Sequence, residues 1–438
     1  MEFYSTNNKE TRVSLKEAVL QGLAPDNGLY MPVTIPRLPD QFFRDLSLKS
    51  FPELSFEVAT HLIGDDLPAA ELKKIIDQTI TFDAPLIKTG DYYSLELFHG
   101  PTLAFKDFGA RFLAGLLGYY ARQQDKEVTI LVATSGDTGS AVANGFLNVP
   151  GTKVIVLYPS GKVSEIQEKQ FTTLGGNITA LEIEGTFDDC QRMVKEAFLD
   201  TELRTKLFLT SANSINMARL IPQMFYYFRA FAQLSKEDAN TKDIVFAIPS
   251  GNFGNLTAGL IAKRMGLPVK QFIAATNTND VVPEYLQSGL FAPRPSKQTI
   301  SNAMDVGHPS NFARMQDLYQ GSLAAMRNDI TGYHFTDEET GEAMRSVLKA
   351  HDYVLDPHGA VGYLGLKKYM ETQANKVHGV YLETAHPGKF KEVVEEVLSS
   401  ELQLPDKLNA FLSRDKKSMA MKNEFQQLKS FLMTIEIS

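Results

Sequence analysis

Short apolar runs alternate with amphipathic stretches of helical length from about Tyr92 onward. The apolar runs are typical of buried strands, and the stretches between most of them, such as 163–175 and 186–200, carry apolar side chains at helical spacing. Seven runs are predicted to be strands: 127–133, 152–158, 178–184, 206–212, 242–249, 269–276 and 378–384. Alternation of this kind predicts the α/β class, with two doubly wound parallel-sheet domains and helices on both faces of each sheet.

The N-terminal part of the chain has a different pattern. Residues 14–23 and 69–80 place apolar side chains at helical spacing, and so does the C-terminal stretch 423–438. Four segments are therefore predicted: a mostly helical region over 1–90, α/β domains over 91–240 and 241–400 with interleaved boundaries, and a helical extension over 401–438.

Composition and charge argue against several functional classes. Hydrophobic residues make up 43% of the 438, enough for sizeable cores, and a net charge of −8 without a basic cluster argues against a nucleic-acid partner. The first ten residues show no targeting pattern and no apolar run could span a bilayer, so we expect a cytoplasmic protein without a membrane partner. The single cysteine, Cys190, suits a reducing compartment, and eight scattered histidines predict no catalytic zinc.

A polar loop follows the strand predicted at 127–133 and contains Ser135, Gly136, Asp137, Thr138 and Gly139. Hydroxyl and backbone N–H groups at the start of a helix favour an anion such as a carboxylate or a phosphate. The same residue types are also ordinary helix caps. The pattern alone leaves both interpretations open.

A glycine-rich loop follows the strand predicted at 242–249, and its residues are Gly251, Asn252, Phe253, Gly254 and Asn255. Two glycines spaced by three, with asparagines beside them, suit a backbone nest around a phosphate. The loop lacks the Gly-Lys-Ser/Thr ending of a nucleoside triphosphate site and is not GxGxxG. We therefore predict a site for an unreactive cofactor phosphate, with a plain tight turn as the weaker alternative.

A third polar cluster follows the strand predicted at 206–212 and includes Asn213, Ser214 and Arg219. Arginine offers a planar fork of donors that matches a phosphate or a carboxylate. A solvated helix face would explain Arg219 alone. It would not explain the dense polar residues that precede it.

Lys106 lies between Phe105 and Phe108, after a Gly-Pro turn and before a helical pattern. Apolar walls disfavour the charged amine and lower its pKa from about 10.4, which frees the lone pair to attack a carbonyl. A nucleophilic lysine and a separate phosphate loop are what a pyridoxal phosphate enzyme requires. A surface lysine paired with Asp107 is the alternative, and the phosphate loop favours the reactive lysine.

Six motifs occur here in the same order as in the threonine synthases: HGPTLAFKD, SGDTGSAVA, SANSINMAR, SGNFGN, LDPHGAVG and ETAHPGKF. With the opening YSTNNKETRVSLKEAVLQGLAPDNGLYMP, the likeness extends from about Tyr4 to Phe390. The chain thus resembles a family of the tryptophan synthase β-like group, fold type II of the pyridoxal phosphate enzymes. The resemblance implies pyridoxal 5'-phosphate as cofactor and conversion of O-phospho-L-homoserine and water to L-threonine and phosphate, the last step of threonine biosynthesis. We expect a monomer or homodimer.

The resemblance also implies roles for individual residues. Lys106 matches the lysine that holds the cofactor and moves protons, and Thr384 matches the hydroxyl residue that faces the pyridine nitrogen. The remaining matches are the cofactor-phosphate loop Gly251, Asn252, Phe253, Gly254 and Asn255, the substrate-carboxylate loop Ser135, Gly136, Asp137, Thr138 and Gly139, and the substrate-phosphate groups Asn213, Ser214 and Arg219, helped by Lys162.

One position departs from the wider fold type II pattern, because many of those enzymes have asparagine where Asp137 stands. An ionised aspartate only accepts hydrogen bonds, so the cofactor's ring oxygen or Asp137 must hold a proton, or a water must lie between them. Two alternatives to a threonine synthase stay open. A serine/threonine dehydratase would use Lys106 and the glycine loop but not the cluster ending at Arg219, and a non-catalytic homologue would only bind a phosphorylated amino acid.

Overall fold

The computed structural model describes residues 1–123, 127–238, 241–374 and 377–435. Its strands are β1 Glu2–Ser5, β2 Val13–Ser14, β3 Tyr30–Pro32, β4 Leu86–Thr89, β5 Tyr92–Glu96, β6 Val128–Ala133, β7 Thr152–Pro159, β8 Ile178–Glu184, β9 Phe208–Ser211, β10 Ile244–Pro249, β11 Val269–Thr276, β12 Ile330–His334, β13 His378–Glu383 and β14 Met419–Lys422. Its α-helices are α1 Leu15–Gln21, α2 Asp40–Asp45, α3 Phe51–Ile63, α4 Ala69–Thr79, α5 Lys106–Ala121, α6 Asp137–Phe146, α7 Glu165–Thr172, α8 Phe187–Leu199, α9 Thr201–Lys206, α10 Ile221–Glu237, α11 Gly254–Arg264, α12 Val281–Ser288, α13 Phe312–Leu318, α14 Leu323–Asp329, α15 Asp337–His351, α16 Pro357–Met370, α17 Lys391–Leu398, α18 Asp406–Leu412 and α19 Phe425–Ile435.

The chain divides into two compact units, and each unit is assembled from separate stretches of sequence. The first contains Met1, Met31–Phe105 and Leu220–Gln403. The second contains Glu2–Tyr30, Lys106–Arg219 and Leu404–Ser438. The four segments predicted from the sequence follow different boundaries and stay a prediction.

A six-stranded sheet forms the centre of the first unit, in the order β12-β11-β10-β13-β5-β4. Neighbouring strands are parallel except β4, which is antiparallel to β5. Strand β10 is buried at every position, as expected of a parallel strand covered on both faces. Helix α16 packs on β10, β11 and β13, and the carboxyl ends of β10 and β13 lead into the loop at 250–253 and into Thr384.

A five-stranded parallel sheet forms the centre of the second unit, in the order β14-β8-β7-β6-β9. The neighbouring strands β6 and β9 end at the same edge, so the polar loops at 134–136 and 212–216 follow them side by side. Cys190 lies in the hydrophobic core of this unit, where burial raises the pKa of its thiol to about 12. This cysteine is therefore structural.

Capping boxes explain where several helices begin. The hydroxyl of Thr186 accepts the backbone N–H of Asp189 while the Asp189 carboxylate accepts the N–H of Thr186, which starts α8. Thr336 and Glu339 start α15 in the same reciprocal way. Each box satisfies two of the backbone donors that a helix start leaves without partners.

Each of the seven predicted strands is present, as β6 to β11 and β13, and the prediction of parallel α/β sheets is confirmed. The prediction missed short strands such as β12 and β14, because a few residues with little apolar alternation leave no clear signal. Strand β14 lies in the segment predicted to be helical and joins the sheet beside β8. The last three residues of the helix predicted at 423–438 lie outside the described residues.

Candidate active site

The loop between β10 and α11 presents a row of backbone donors. Over the part of the chain that the structure describes, the N–H groups of residues 251–255 have no hydrogen-bond acceptor. Helix α11 begins at Gly254 without a side-chain cap, and Phe253 adopts a left-handed conformation with φ of 59°. Successive free N–H groups at a helix N-terminus attract an anion.

Polar contacts with neighbouring segments hold the same loop in position. Asn255 donates from Nδ2 to the Pro249 carbonyl at 2.8 Å, which ties the start of α11 to the end of β10. The Asn252 side chain accepts the N–H of Ser310 at 3.3 Å, and the Asn252 carbonyl accepts the N–H of Asn311 at 3.3 Å. The loop is therefore held in shape while its own N–H groups stay available.

Gly251 shows why this loop needs a residue without a side chain. A Cβ atom there would lie 2.8 Å from the Cα of Met304 and 3.1 Å from the carbonyl oxygen of Ala303. Both neighbours are backbone atoms and cannot rotate away. The donor row and this close cover together fit the phosphate of pyridoxal phosphate.

Thr384 follows directly after β13 and is buried. Its hydroxyl has no hydrogen-bond partner among the described residues, so it can accept or donate to a ring nitrogen. Its backbone carbonyl accepts the N–H of Phe105 at 2.8 Å. The hydroxyl residue is thus tied by its backbone to the residue that precedes Lys106.

Several contacts hold residues 102–104, which lead to Lys106, against residues 385–389, which follow Thr384. Leu103 has a left-handed φ of 56°, and its carbonyl accepts the N–H of His386 at 3.0 Å. Ala104 forms an antiparallel bridge with Ala385. The fully buried Lys389 donates from Nζ to the Thr102 carbonyl at 2.7 Å.

Lys106 is the first residue of α5 and is partly buried. Of the two predicted apolar walls, Phe108 is fully buried and Phe105 is partly exposed. Asp107 is also buried, which removes it from the surface where a solvated Lys–Asp pair would be found. The position favours the reactive-lysine interpretation over the surface-lysine alternative.

The loop before α6 contains both a helix cap and hydroxyl groups that are available to a ligand. The Thr134 hydroxyl accepts the N–H groups of Gly136 at 3.0 Å and Gly139 at 2.8 Å, so the cap comes from a residue that the sequence did not single out. Ser135 and Thr138 are partly exposed, and their hydroxyls have no partner among the described residues. Thr134 therefore supplies the helix cap, and anion binding by Ser135 and Thr138 stays a prediction.

Asp137 is buried and accepts a hydrogen bond at 2.8 Å from Nε2 of Gln167. Gly136, with φ of 141°, leaves room for that contact, because a Cβ there would lie 2.6 Å from the Gln167 carboxamide. Gln167 thus occupies one side of Asp137. Helix periodicity placed Gln167 on a face of α7 but gave no signal for this contact.

The third polar cluster lies beside the same loop, since Asn213 donates from Nδ2 to the Ala133 carbonyl at 3.3 Å. Ser214 is partly exposed. Arg219 is only 3% exposed and donates to the Ala212 carbonyl. Burial lowers the pKa of its guanidinium to about 10, and the Asp107 carboxylate opposes that shift.

Lys162 is exposed in the turn that follows β7. Because β7 lies next to β6 and parallel to it, this turn is at the same edge of the sheet as the loop at 134–136. The structure therefore brings the loops carrying Ser135, Asn213 and Lys162 to one edge of the second unit, while the guanidinium of Arg219 is enclosed within that unit.

Models of known protein families match the chain from residue 2 to residue 432. A family model described as pyridoxal-phosphate dependent enzyme matches residues 80–380, and models of the threonine synthase N terminus and C-terminal region match 2–80 and 359–432. Threonine synthase from Haemophilus influenzae is 45% identical over 99% of this chain and 100% of its own length. The chain belongs to the threonine synthase family.

Solved structures of the family agree with that assignment. The crystal structure of threonine synthase from Escherichia coli has a TM-score of 0.92 and 43% identity, covering 99% of this chain and 100% of its own. The PLP-bound threonine synthase from Brucella melitensis has a TM-score of 0.92 and 37% identity, covering 100% of both chains. The predicted family, fold class, enzyme class and cofactor are confirmed, whereas the roles of individual residues stay predictions.

Two kinds of feature are absent from the residues that the structure describes. No helix among residues 1–123, 127–238, 241–374 and 377–435 has the length and apolar character to cross a membrane. The same residues contain no cluster of three or more histidine, cysteine or acidic side chains arranged to hold a metal ion.

Proposed function

We propose that this enzyme converts O-phospho-L-homoserine and water to L-threonine and phosphate, using pyridoxal phosphate. Membership of the threonine synthase family along the whole chain supports the reaction. The single structural observation that supports it best is the row of free N–H groups at 251–255, which suits the cofactor's phosphate.

In this proposal the N–H groups of 251–255 hold the cofactor's phosphate and the Thr384 hydroxyl faces its pyridine nitrogen. Lys106 would hold the cofactor through its amine, at the cofactor's aldehyde carbon, with release of water. When bound, the cofactor accepts the negative charge that develops on the substrate when a proton leaves its α carbon. A hydroxyl at Thr384 leaves the ring nitrogen unprotonated more readily than a carboxylate would.

Lys106 would also move protons in this proposal, because its amine, freed when the substrate's amine replaces it, removes a proton from Cα of the substrate and later returns one to the same carbon. The partly exposed Ser135 and Thr138 bind the substrate carboxylate with their hydroxyls at the N-terminus of α6. Their neighbours Gly136, Asp137 and Gly139 shape that loop, with Asp137 held by Gln167.

The substrate's phosphate is assigned to Asn213, Ser214 and the exposed Lys162, which lie at one edge of the second sheet. Arg219 supports this group from the interior, because its guanidinium is bonded to the Ala212 carbonyl just before Asn213. We also propose a monomer or homodimer that acts without nucleic acid in the cytoplasm, a compartment that suits the free, buried thiol of Cys190.

The proposal is tested on the purified enzyme by following threonine formation and phosphate release from O-phospho-L-homoserine together. We expect equal amounts of both products, and borohydride reduction should attach the cofactor to a peptide that contains Lys106. Lys106→Ala should lose this attachment and essentially all turnover, while Lys74→Ala, which changes an exposed lysine of α4, should behave as wild type.

Release of a keto acid and ammonia from serine or threonine, without turnover of O-phospho-L-homoserine, would instead identify a dehydratase. Binding of the substrate without either product would identify a non-catalytic homologue. Near-normal turnover by Lys106→Ala would refute the role of this lysine.

A further inference from the structure

Asn216, in the motif SANSINMAR at 211–219, has no role in the site as described so far, yet it is fully buried. Its backbone N–H donates to the Asn213 carbonyl at 3.1 Å, and its own carbonyl accepts the N–H of Arg219 at 3.0 Å. Its side-chain oxygen accepts the N–H of Ala218 at 3.1 Å. These bonds fold the segment into one turn, which begins at a residue assigned to the substrate's phosphate.

The side-chain nitrogen of Asn216 joins this turn to the N-terminal helix α1. Nδ2 donates to the Val19 carbonyl in the last turn of α1 at 2.9 Å, and to the Ser211 carbonyl at the end of β9 at 3.3 Å. These partners define the orientation of the carboxamide, because a backbone N–H only donates and a carbonyl only accepts. A single buried side chain therefore connects the turn, the helix and the strand.

Gly22, which follows α1, shows how closely the helix approaches Asn216. A Cβ atom at Gly22 would lie 3.3 Å from Nδ2 of Asn216 and 3.4 Å from the carbonyl oxygen of Ser211. The glycine also has a φ of 69°, a conformation that residues with a side chain rarely adopt. The bond from Asn216 to α1 therefore depends on a glycine at this position.

Arg219, at the other end of the turn, lies against helix α5. A Cβ atom at Gly109 would lie 2.6 Å from Nε of Arg219 and 3.0 Å from its carbonyl oxygen. Gly109 is in the first turn of α5, three residues after Lys106. The turn that Asn216 folds is therefore packed between α1 and the helix that begins at Lys106.

We propose that Asn216 is a positioning residue for the substrate's phosphate, because it holds Asn213 and Ser214 in place and uses helix α1 as their support. Through Arg219, the same turn keeps this phosphate site in a fixed position relative to α5. Helix α1 thus contributes to substrate recognition although none of its residues is assigned to the site. The inference rests on the proposed assignment of the substrate's phosphate to this turn.

The first test compares ligands with and without a phosphate on the holoenzyme. Asn216→Ala should raise both the KM for O-phospho-L-homoserine and the Ki of inorganic phosphate about tenfold or more, with a smaller change in kcat. Binding of L-threonine, followed by the cofactor's absorbance, and affinity for pyridoxal phosphate should stay within about twofold of wild type. The cofactor's phosphate is assigned to residues 251–255, which Asn216 does not contact.

Asn177→Ala is the matched control for the loss of an asparagine. Asn177 lies in the same unit and donates from Nδ2 to the carbonyls of Phe146 at 2.9 Å and Thr152 at 3.1 Å. It precedes β8, at the amino ends of the strands, away from the edge that carries the polar loops. This variant should keep the KM and the phosphate Ki of wild type even where its thermal midpoint falls.

Gly22→Ala tests the same support from the side of α1 and leaves every residue of the turn unchanged, so it applies even where Asn216→Ala does not fold. We expect the KM and the phosphate Ki to rise about threefold or more. Gly175→Ala is its control, because Gly175 has a similar φ of 65° but a Cβ there would have no neighbour within 4 Å. That variant should bind the substrate as wild type does.

If Asn216→Ala and Gly22→Ala lower the thermal midpoint but leave the KM and the phosphate Ki within about twofold of wild type, Asn216 has only a structural role and the inference fails. An equal loss of affinity for L-threonine and for phosphate would also overturn it, because the whole site would then be disturbed. Absence of turnover of O-phospho-L-homoserine by wild type would count against the proposed function instead. The two failures are therefore distinguishable.

Discussion

At the scale of single residues, buried charged or titratable side chains determine how the segment before Lys106 is held. Lys389 has no exposed surface and directs its Nζ to the Thr102 carbonyl at 2.7 Å. Leu103, the next residue, has the left-handed φ of 56° that non-glycine residues adopt only when neighbours hold them there. Lys389 therefore maintains a strained turn three residues before Lys106, the proposed reactive lysine.

Lys389→Met keeps most of the side-chain volume and removes this charged donor. We expect unfolding to become easier by about 1.5–3 kcal/mol, and kcat to fall about tenfold to a hundredfold with a smaller change in KM, because Lys106 is displaced. Denaturant titration and steady-state kinetics measure both effects. Lys391→Met, which removes a partly exposed ion pair to Glu395, serves as the control, and equal effects of both variants would argue against the anchoring role.

His386 predicts a pH dependence of stability. Burial, opposed by the charge of Glu96, lowers the pKa of His386 from its usual 6.5 to about 4. A base whose pKa is lower in the folded state takes up a proton more readily when unfolded. The stability it contributes is therefore complete above pH 6.5 and is lost as the pH falls from 6.5 towards 4, by up to about 3 kcal/mol.

His386→Asn preserves the acceptor for the N–H of Gly388 and has no charge to gain. The free energy of unfolding of wild type should fall relative to that of the variant between pH 6.5 and 4. Unfolding curves by urea at several pH values measure the difference. Parallel pH profiles of the two proteins would show that His386 titrates normally in the fold.

At the scale of elements, strand β10, helix α11 and the loop between them carry the proposed phosphate site. The strand is buried throughout, the helix starts without a side-chain cap, and the loop between them keeps its N–H groups free. Parallel strands place such loops at their carboxyl ends, beside helix N-termini that favour anions. This local arrangement explains why the site follows β10 directly.

Gly251→Ala tests how tightly this element is covered. The added Cβ would meet the Cα of Met304 at 2.8 Å, and we expect a cost of about 1–3 kcal/mol that appears as about tenfold weaker binding of pyridoxal phosphate. Fluorescence titration of the apoenzyme measures it. Gly341→Ala in α15, whose new Cβ would have no neighbour closer than 3.5 Å, should bind as wild type, and matching affinities for both variants would refute the close cover.

At the scale of the whole molecule, each unit is assembled from stretches of chain that are far apart in the sequence. In the second unit, β14 extends the sheet beside β8, and Leu428 and Leu432 of α19 enter the core that contains Cys190. Residues at the C-terminus thus complete a core begun by strands near the middle of the sequence. The C-terminal segment is part of the unit's stability.

Leu428→Ala should lower the free energy of unfolding by about 2–5 kcal/mol, because the side chain is fully buried and its removal leaves a cavity. Leu199→Ala, at a leucine that is 59% exposed, is the matched control and should change stability little. Calorimetry of the two variants compares them. A small effect at Leu428 would mean that α19 contributes little to this core.

The sequence by itself determined the features that depend on neighbouring residues. Apolar runs marked the strands β6 to β11 and β13, and the small polar residues after them marked the loops at 135–139 and 251–255. These predictions succeed because strand burial, helix starts and tight turns are set by residues within a few positions of each other. Lys106 was predicted to be the reactive lysine from its place between a turn and a helix, and that role stays a prediction.

Only the tertiary structure decided the contacts that join distant segments. The backbone N–H of Phe105 donates to the Thr384 carbonyl. Arg219 is buried beside Asp107 and the Ala212 carbonyl, and Glu383 packs against the motif at 355–362. No local pattern encodes these contacts, because burial and the pairing of charges depend on which strands become neighbours in a sheet. Residue types therefore indicated the chemistry, and long-range packing determined which side chains are exposed to carry it out and which support them.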